Sequence, residues 1–195
     1  MSTGMWPAAW HDEGVDDDAL IAAMRAGDRQ AFGSLVERET RAVYHACLRI
    51  LGRPQDAEDV TQESFVAAYR AIGTFRGDGS LRGWLLRIAT RQSYRRLAQR
   101  RPNQDLGSVP EPHLADASGE PTRLIVAAEA RESVRRAVAE LPEPYREVVA
   151  MRFFADLSLA EVAEATGRPL NTVKTHLRRG LERLRPTLGD AEPSR

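Results

Sequence analysis

The chain has 195 residues with 28 Lys or Arg and 28 Asp or Glu, so its net charge alone indicates no polyanionic partner. This length allows one large domain or two small ones, and the single cysteine, Cys47, excludes an internal disulfide bond. No apolar run reaches membrane-spanning length and the N-terminus has no basic-then-apolar signal pattern, so we expect a cytoplasmic protein without membrane insertion.

The charged residues are distributed unevenly along the chain. Eight arginines and one acid lie between Arg76 and Arg101, and six basic residues and one acid lie between Arg168 and Arg185. Residues 102–122 hold four acids and no Lys or Arg. Two basic blocks separated by an acidic strip suggest two surfaces for one anion, with the strip as a linker. The four histidines are scattered and have no cysteine near them, so we expect no metal site.

The chain begins with an acidic segment that is followed by two helices. Residues 1–18 are predicted to be a disordered acidic tail, because they combine Gly, Pro and acids without periodicity. A short helix is predicted over 18–24, and a longer one over about 28–51, ended by Gly52. Cys47 belongs to the apolar stripe of the longer helix, which indicates a small buried hydrophobe rather than a reactive thiol.

Two further helices and a glycine-rich loop complete the first predicted domain, residues 19–101. Pro54 opens the third helix, and its apolar side is predicted to hold Phe65, Tyr69 and Ile72. The segment GTFRGDGS, residues 73–80, is predicted to be a loop. The fourth helix is predicted from Leu81 to about Arg101. Its inward face is expected to be formed by Leu81, Trp84, Leu85 and Ile88.

Residues 102–122 contain four prolines and no helical period, which predicts a flexible linker. The second domain is predicted over 123–188 and is followed by a short tail, 189–195. One of its helices is expected to begin at Pro142, because Tyr145, Val149 and Phe153 keep helical spacing after it. Since no window shows sustained strand alternation, we expect an all-α protein made of two small helical domains joined by a flexible linker.

The second domain carries the sequence pattern of a helix-turn-helix. Ser158 followed by Glu161 predicts a capping box, so a short helix is expected over 159–166. Gly167 can adopt the left-handed conformation that ends a helix, and the next helix is expected to begin near Leu170. A short helix, a Gly-containing turn and a longer helix together form a helix-turn-helix.

The longer helix of this motif has two unlike faces. Its apolar residues recur at helical spacing and are predicted to face a core: Val173, Leu177, Leu181 and Leu184. Its polar residues are predicted to contact DNA: Arg168, Asn171, Thr172, Lys174, Thr175, Arg178 and Arg179. The first five lie where a helix in the major groove reaches base edges, whereas Arg178 and Arg179 are better placed for phosphates. This segment alone is also compatible with an ordinary helical hairpin that has a solvated basic face.

Two longer segments resemble those of a known family. The segment DAEDVTQESFVAAYRAIGTFRGDGSLRGWLLRIATRQSYRRLAQRR resembles the second conserved region of group-four bacterial sigma factors, the extracytoplasmic function class. The segment LPEPYREVVAMRFFADLSLAEVAEATGRPLNTVKTHLRRGLERLR is similar to their fourth region. The resemblance covers about residues 19–188, and it implies an alternative sigma factor rather than an enzyme, without a cofactor or a catalytic residue of its own. Such a protein binds core RNA polymerase, directs it to specific promoters and is monomeric off the polymerase.

By this resemblance, the helix carrying DAEDVTQESF docks on the clamp helices of the largest catalytic subunit of RNA polymerase, and the polymerase flap is a further contact. The residues expected to bind the polymerase are Asp56, Asp59, Gln62 and Glu63. The last three share one helix face at i, i+3 and i+4. Judged from the residues alone, the same spacing also fits a solvated helix face.

The resemblance assigns recognition and melting of the minus-ten promoter element to the glycine-rich loop and the helix after it. The residues expected to contact this element are Phe75, Arg76, Arg82, Arg87, Arg91 and Arg95. Capturing an unstacked base is worth about 1–3 kcal/mol, and Phe75 with its glycine-rich loop is suited to this. Trp84 is expected in the core instead. Many family members have Asn and Asp where Arg91 and Arg95 stand, so the resemblance implies promoter melting but leaves the base preference of this chain open.

The resemblance further implies that the helix-turn-helix reads the minus-thirty-five element and that an anti-sigma factor regulates the protein. The acidic linker would either thread through polymerase channels or serve as a soluble tether. One rival interpretation is a conventional helix-turn-helix transcriptional regulator with an N-terminal dimerisation or sensor bundle, which leaves DAEDVTQES unexplained. Another is an enzyme such as a recombinase, for which the sequence shows no nucleophile with clustered arginines.

Overall fold

The computed structural model describes residues 17–75, 77, 79–99 and 121–189, with the backbone alone described at 121–125 and 187–189. Within these ranges the chain is helical, which confirms the all-α prediction. The helices are α1 (Asp17–Arg25), α2 (Arg29–Leu51), α3 (Pro54–Ala71), α4 (Leu81–Gln99), α5 (Pro121–Glu140), α6 (Tyr145–Phe153), α7 (Leu159–Thr166) and α8 (Leu170–Gly189), with a short 3-10 turn at Ile72–Thr74. None of the helices in the described ranges is long and apolar enough to cross a bilayer.

Most of the predicted tails and of the predicted linker lie outside the described residues. The tail bounds are wrong at their inner ends, because Asp17 and Asp18 begin α1 and Gly189 ends α8. The linker was expected to end at residue 122, and α5 begins at Pro121. The two helical parts on either side, α1–α4 and α5–α8, are called the N-terminal and C-terminal bundles below.

The helix ends follow local capping chemistry. The Asp28 carboxylate accepts hydrogen bonds from the backbone N–H of Gln30 at 2.8 Å and of Ala31 at 3.3 Å, so it caps α2. Ser158 and Glu161 form the predicted capping box at the start of α7, with hydrogen bonds of 2.7 and 3.2 Å. The predicted starts of α2 and α7 are therefore confirmed.

The N-terminal bundle buries the apolar stripe of α2 against α3 and α4. Val43 and Cys47 of α2 share a core with Val60 of α3 and Leu85 of α4, and all four are fully buried. Burial raises the pKa of the Cys47 thiol, which therefore stays protonated near neutral pH and is a poor nucleophile. The prediction that Cys47 is a small buried hydrophobe is confirmed.

The apolar side of α3 differs from the prediction at one position. Phe65 and Ile72 are buried, but Tyr69 leaves 43% of its surface exposed. Its ring meets the edge of Phe32 of α2, with centroids 5.0 Å apart. Tyr69 therefore lies at the margin of the core rather than within it.

Helix α6 begins later than predicted and is buried on different residues. The carbonyl of Pro142 accepts from the amides of Tyr145 and Arg146 in a turn, and the helix starts only at Tyr145. The helical spacing of Tyr145, Val149 and Phe153 does not mark one buried face, since 48% of the surface of Phe153 is exposed, whereas Met151 is fully buried. The single-face pattern fails because α6 packs against both α4 and α8.

Helix α8 contacts α6 through a glycine. A Cβ atom at Gly180 would lie 2.7 Å from Cγ2 of Val149, closer than carbon atoms approach without a clash. The absence of a side chain there lets the two helices come together. Val173 and Leu184 are buried as predicted, but Leu181 is 37% exposed, so Gly180 takes the place on the packed face that was expected for Leu181.

The two bundles share an apolar core. Residues of α2, α3 and α4 form one continuous cluster with residues of α6, α7 and α8, including Leu86, Val148 and Val162. Tyr94 of α4 inserts into a second cluster, beside Val138 of α5 and other residues of the C-terminal bundle. The sequence did not predict this contact between bundles, because the apolar residues of α4 were assigned to the interior of its own bundle.

Candidate nucleic-acid interface

Four arginines of α4 carry the predicted contacts to the minus-ten element. We call them the arginine surface of α4, and they are Arg82, Arg87, Arg91 and Arg95. The side chains of Arg82 and Arg91 are 52% and 66% exposed, Arg95 is also exposed, and Arg87 is only 25% exposed. The structure thus places all four on the same helix but leaves Arg87 largely covered. Arg76, the remaining predicted arginine, lies outside the described residues.

Phe75 does not line an open site. It is 5% exposed and packs in a core cluster with Ile21 and Leu81, its ring centroid 5.2 Å from that of Trp84. A hydrogen bond from Arg25 to the Phe75 carbonyl holds the backbone at the same place. The expectation that this ring stacks on a base is corrected, because α1 and the start of α4 cover it. Trp84 packs against the core as expected.

A buried carboxylate collects arginines from both bundles. Glu147 of α6 is 3% exposed, and its Oε1 lies 3.0 Å from Nε of Arg87 and 3.3 Å from Nε of Arg91. Its other oxygen, Oε2, accepts a hydrogen bond of 2.6 Å from Arg168, at the start of the helix-turn-helix turn. One side chain thus binds arginines that were predicted to contact two different DNA elements.

The protonation state of Glu147 follows from these contacts. Burial by itself would raise the pKa of the carboxyl group, but hydrogen bonds and charges from Arg87 and Arg168 outweigh it and hold the pKa below its usual range. The group is therefore ionised at neutral pH. A buried carboxylate is tolerated because charged donors saturate its oxygens.

The predicted residues of α8 fall into two groups. Asn171, Lys174, Arg178 and Arg179 are exposed, and we call them the reading face of α8. Thr172 and Thr175 are half-buried, and the Thr175 hydroxyl donates to the carbonyl of Asn171 at 2.9 Å. Arg178 also forms a 2.6 Å ion pair with Glu182, one turn along the helix. The reading face therefore offers one amide and three cations to a groove.

The acids predicted to bind the polymerase lie together. Arg96 of α4 lies 3.5 Å from Asp56, 3.6 Å from Asp59 and 2.6 Å from Glu63, measured between charged atoms. Gln62 is exposed beside them. We call these four α3 residues the acidic face of α3. Because these carboxylates already pair with Arg96, a basic partner would have to compete with Arg96 for them.

Two residues of these sites were not predicted, Glu147 and Arg96. Glu147 lies in the segment YREVVAMRFF, where a single acid carries no signal in the sequence that it will be buried. Arg96 was indistinguishable in sequence from Arg95, its neighbour, because both belong to one arginine-rich helix. Only the packing of α4 against α3 and α6 distinguishes their roles.

Models of two protein families match this chain, and their matched ranges include the segments described above. The family described as Sigma-70 region 2 matches residues 35–102, which include the acidic face of α3 and the arginine surface of α4. The family described as Sigma-70, region 4 matches residues 131–184, which include the reading face of α8.

Individual relatives are similar over most of their length. The chain is 32% identical over 178 residues to the ECF RNA polymerase sigma factor SigW of Bacillus subtilis (strain 168), covering 87% of this chain and 95% of SigW. Among solved structures, CnrH in complex with the cytosolic domain of CnrY has a TM-score of 0.61 at 26% identity, covering 91% of this chain and 99% of CnrH. The sigma factor RpoE in complex with the anti-sigma factor NepR from Bartonella quintana shares the fold, with a TM-score of 0.52 at 18% identity over 82% of this chain and 98% of RpoE.

Proposed function

The chain belongs to the extracytoplasmic function class of RNA polymerase sigma factors, and from that premise we propose how its own residues bind the polymerase and the promoter. The observation that carries the proposal is the presence, in one chain, of an exposed reading face on α8 and an arginine surface on α4. A regulator that binds one duplex site needs only the first. A subunit that places a polymerase at a start site needs two DNA contacts and a docking face.

The reading face of α8 binds the upstream, minus-thirty-five element in the major groove. Asn171 and Lys174 lie near the helix N-terminus, where side chains reach base edges. An Asn amide pairs with adenine and a Lys ammonium with guanine, so these two residues set the base preference. Arg178 and Arg179, one turn further on, hold phosphates and fix the register.

The arginine surface of α4 binds the minus-ten element. Arg82, Arg91 and Arg95 are exposed, so they are available to the phosphates of a displaced strand. The glycine-rich loop before α4 brings backbone close to an unstacked base, a role for which Gly77 and Gly79, both with positive φ, are suited. The base contact thus comes from the loop rather than from the buried ring of Phe75.

The acidic face of α3 docks on a basic surface of the core polymerase, for which the clamp helices of the largest catalytic subunit are the proposed partner. Asp59 and Glu63 keep 58% and 51% of their side chains exposed, so they reach a partner without unfolding. Exchange of Arg96 for cations of the polymerase would keep the carboxylates paired throughout docking. The flap of the polymerase is the proposed contact of the C-terminal bundle, where Phe153 is exposed.

A regulatory protein partner is also proposed. CnrH was solved with the cytosolic domain of CnrY, and RpoE with its anti-sigma factor. By that similarity we expect an anti-sigma factor to bind this chain and to keep it from the polymerase.

Run-off transcription of genomic fragments tests the proposed function. Core RNA polymerase with the purified chain is expected to yield a small set of discrete transcripts that core polymerase alone does not yield. The chain is also expected to copurify with core polymerase. A chain that bound duplex DNA by itself, left core polymerase unbound and added no transcript would instead be a conventional helix-turn-helix regulator.

A further inference from the structure

An open cavity of about 360 Å³ lies between α4 and α6. One side is formed by α4, and the other by Arg146 and Glu147 of α6 and by Glu143 just before it. Small-molecule sites in proteins have volumes of about 300–1,000 Å³, and a few polar groups in them fix the ligand. We propose that this cavity binds the phosphoryl group of a small molecule.

Two arginines of α4 line the cavity and have hydrogen-bond donors to spare. Arg91 and Arg95 are one helical turn apart, and both are exposed. Arg91 makes one ion pair, 3.3 Å long, with a Glu147 oxygen that Arg87 already binds at 3.0 Å. Arg95 forms no hydrogen bond or ion pair with any residue that the structure describes. Because a guanidinium group can bind two phosphate oxygens at once, these two side chains supply the positive charge for an anion.

Thr90 lines the same cavity, and its hydroxyl group is unpaired. The residue is 1% exposed, and its hydroxyl has no hydrogen-bond partner among the described residues. A buried hydroxyl in a helix is commonly satisfied by the carbonyl four residues back. The other buried serines and threonines of the described helices all use this bond: Thr61, Ser64, Ser93 and Thr166. Thr90 does not, so its hydroxyl remains available to a ligand.

Tyr94, one helical turn after Thr90, brings a second unpaired hydroxyl group to the cavity lining. Its side chain is 9% exposed, and burial raises the pKa of the phenol, so the hydroxyl keeps its proton and can donate. A buried hydroxyl without a partner destabilises the folded chain. An acceptor oxygen of a bound ligand would remove that cost.

The acids in the lining do not cancel these donors, because other arginines already bind them. Glu143 pairs with Arg146 at 3.0 Å. Glu147 pairs with Arg87 at 3.0 Å and with Arg168 at 2.6 Å. The cavity therefore presents two guanidinium groups and two hydroxyl donors to a ligand.

This set of donors matches a phosphoryl group better than a carboxylate. A phosphoryl group on a small molecule has three terminal oxygens and a charge of about −1.5 to −2 at pH 7, whereas a carboxylate has two oxygens and one charge. It can accept from both hydroxyls while it pairs with both arginines. Inorganic phosphate and a phosphorylated metabolite share this chemistry, and the volume of the cavity leaves room for the body of a metabolite.

Calorimetric titration of the full-length chain tests the proposal. Inorganic phosphate and adenosine 5′-monophosphate are titrated separately, at an ionic strength held constant with sodium chloride. Phosphate is expected to bind saturably at one site. Tighter binding of adenosine 5′-monophosphate would identify a phosphorylated metabolite as the ligand, and equal binding would identify free phosphate. Thr90→Val and Tyr94→Phe should each weaken binding about tenfold, because each removes one hydrogen bond to a charged oxygen.

Arg95→Ala should also weaken binding about tenfold, because it removes a charged donor. Two control variants lie outside the cavity lining. Tyr69→Phe removes the hydroxyl of a half-exposed tyrosine, and Arg41→Ala removes an exposed guanidinium group. Both should bind phosphate as the unmodified chain does. Thr90→Val and Tyr94→Phe keep the shape of the side chain, so both are expected to fold, and circular dichroism checks this.

Absence of binding by both phosphate and adenosine 5′-monophosphate would overturn the proposal. Binding that both hydroxyl variants left unchanged would also overturn it, because the anion would then contact surface arginines only. Arg91 and Arg95 are also proposed contacts of the minus-ten element, so a single-stranded oligonucleotide is the third probe. If the hydroxyl variants weakened its binding while neither small molecule bound, the cavity would belong to the DNA site instead. The titration uses no polymerase, so its result is independent of the proposed function.

Discussion

At the scale of single residues, Tyr94 shows how a side chain can be well packed and still carry an unfavourable group. Its ring is buried among apolar residues of the C-terminal bundle, and the Arg146 guanidinium lies over it at 5.2 Å. Its hydroxyl finds no partner among the described residues, and burial raises its pKa. The ring therefore stabilises the contact between the bundles, while the hydroxyl weakens it.

Removal of this hydroxyl is expected to stabilise the protein. Tyr94→Phe keeps the ring and deletes the unpaired group, so the free energy of unfolding in urea should rise by about 1 kcal/mol. Tyr69→Phe is the matched control, because Tyr69 is half-exposed and its change should stay within about 0.5 kcal/mol. A loss of stability in Tyr94→Phe would show that the hydroxyl does have a hydrogen-bond partner.

At the scale of elements, α8 separates two kinds of DNA contact along its length. Asn171→Ala or Lys174→Ala should change the preferred bases of the upstream element, each by about 1–3 kcal/mol at its own position. Arg178→Ala should weaken binding of all sequences alike and lower the salt dependence by about one unit of slope. Binding to a promoter library by the polymerase complex measures both effects. Intact binding in all three variants would show that α8 does not recognise the upstream element.

Helix α3 allows a similar separation between folding and docking. Asp59→Arg together with Glu63→Arg should abolish copurification with core polymerase, because the face would then repel a basic surface. Both side chains are more than half exposed, so the helix content measured by circular dichroism should be unchanged. Glu58→Arg, elsewhere on the exposed surface of α3, is the matched charge control and should still copurify. A folded double variant that bound core polymerase normally would place the docking face elsewhere.

At the scale of the whole molecule, Glu147 couples stability to pH. A carboxyl group whose pKa is lower in the folded chain than in the unfolded chain stabilises the folded chain at pH values above the unfolded pKa. That stabilisation is lost as the pH falls through the folded pKa. At neutral pH, Glu147→Gln should lower the free energy of unfolding by about 2 kcal/mol, since hydrogen bonds to charged groups are lost. The difference from the unmodified chain should stay constant down to about pH 5 and shrink below about pH 4.5.

Denaturant unfolding at several pH values measures this difference. Glu37→Gln, an exposed substitution on α2, is the control and should change stability little at any pH. A difference that grew as pH fell would mean that the pKa of Glu147 is raised rather than lowered in the folded chain.

The sequence by itself determined the all-α class, the starts of α2 and α7, the helix-turn-helix and the family. These features depend on residues within one or two helical turns, so local spacing is sufficient to predict them. It also determined which residues of α8 are polar and which of α3 are acidic, although their binding roles stay predictions.

Only the tertiary structure decided which of those residues are available. Phe75 is buried because α1 crosses over it, and Leu181 is exposed because α8 approaches α6 at Gly180. Arg87 is covered because Glu147, far away in sequence, lies beside it. Such contacts depend on which helices pack against each other. The free energy of that packing comes from many apolar residues in both bundles. For that reason the periodicity of a single helix predicts a buried face but does not predict its neighbour.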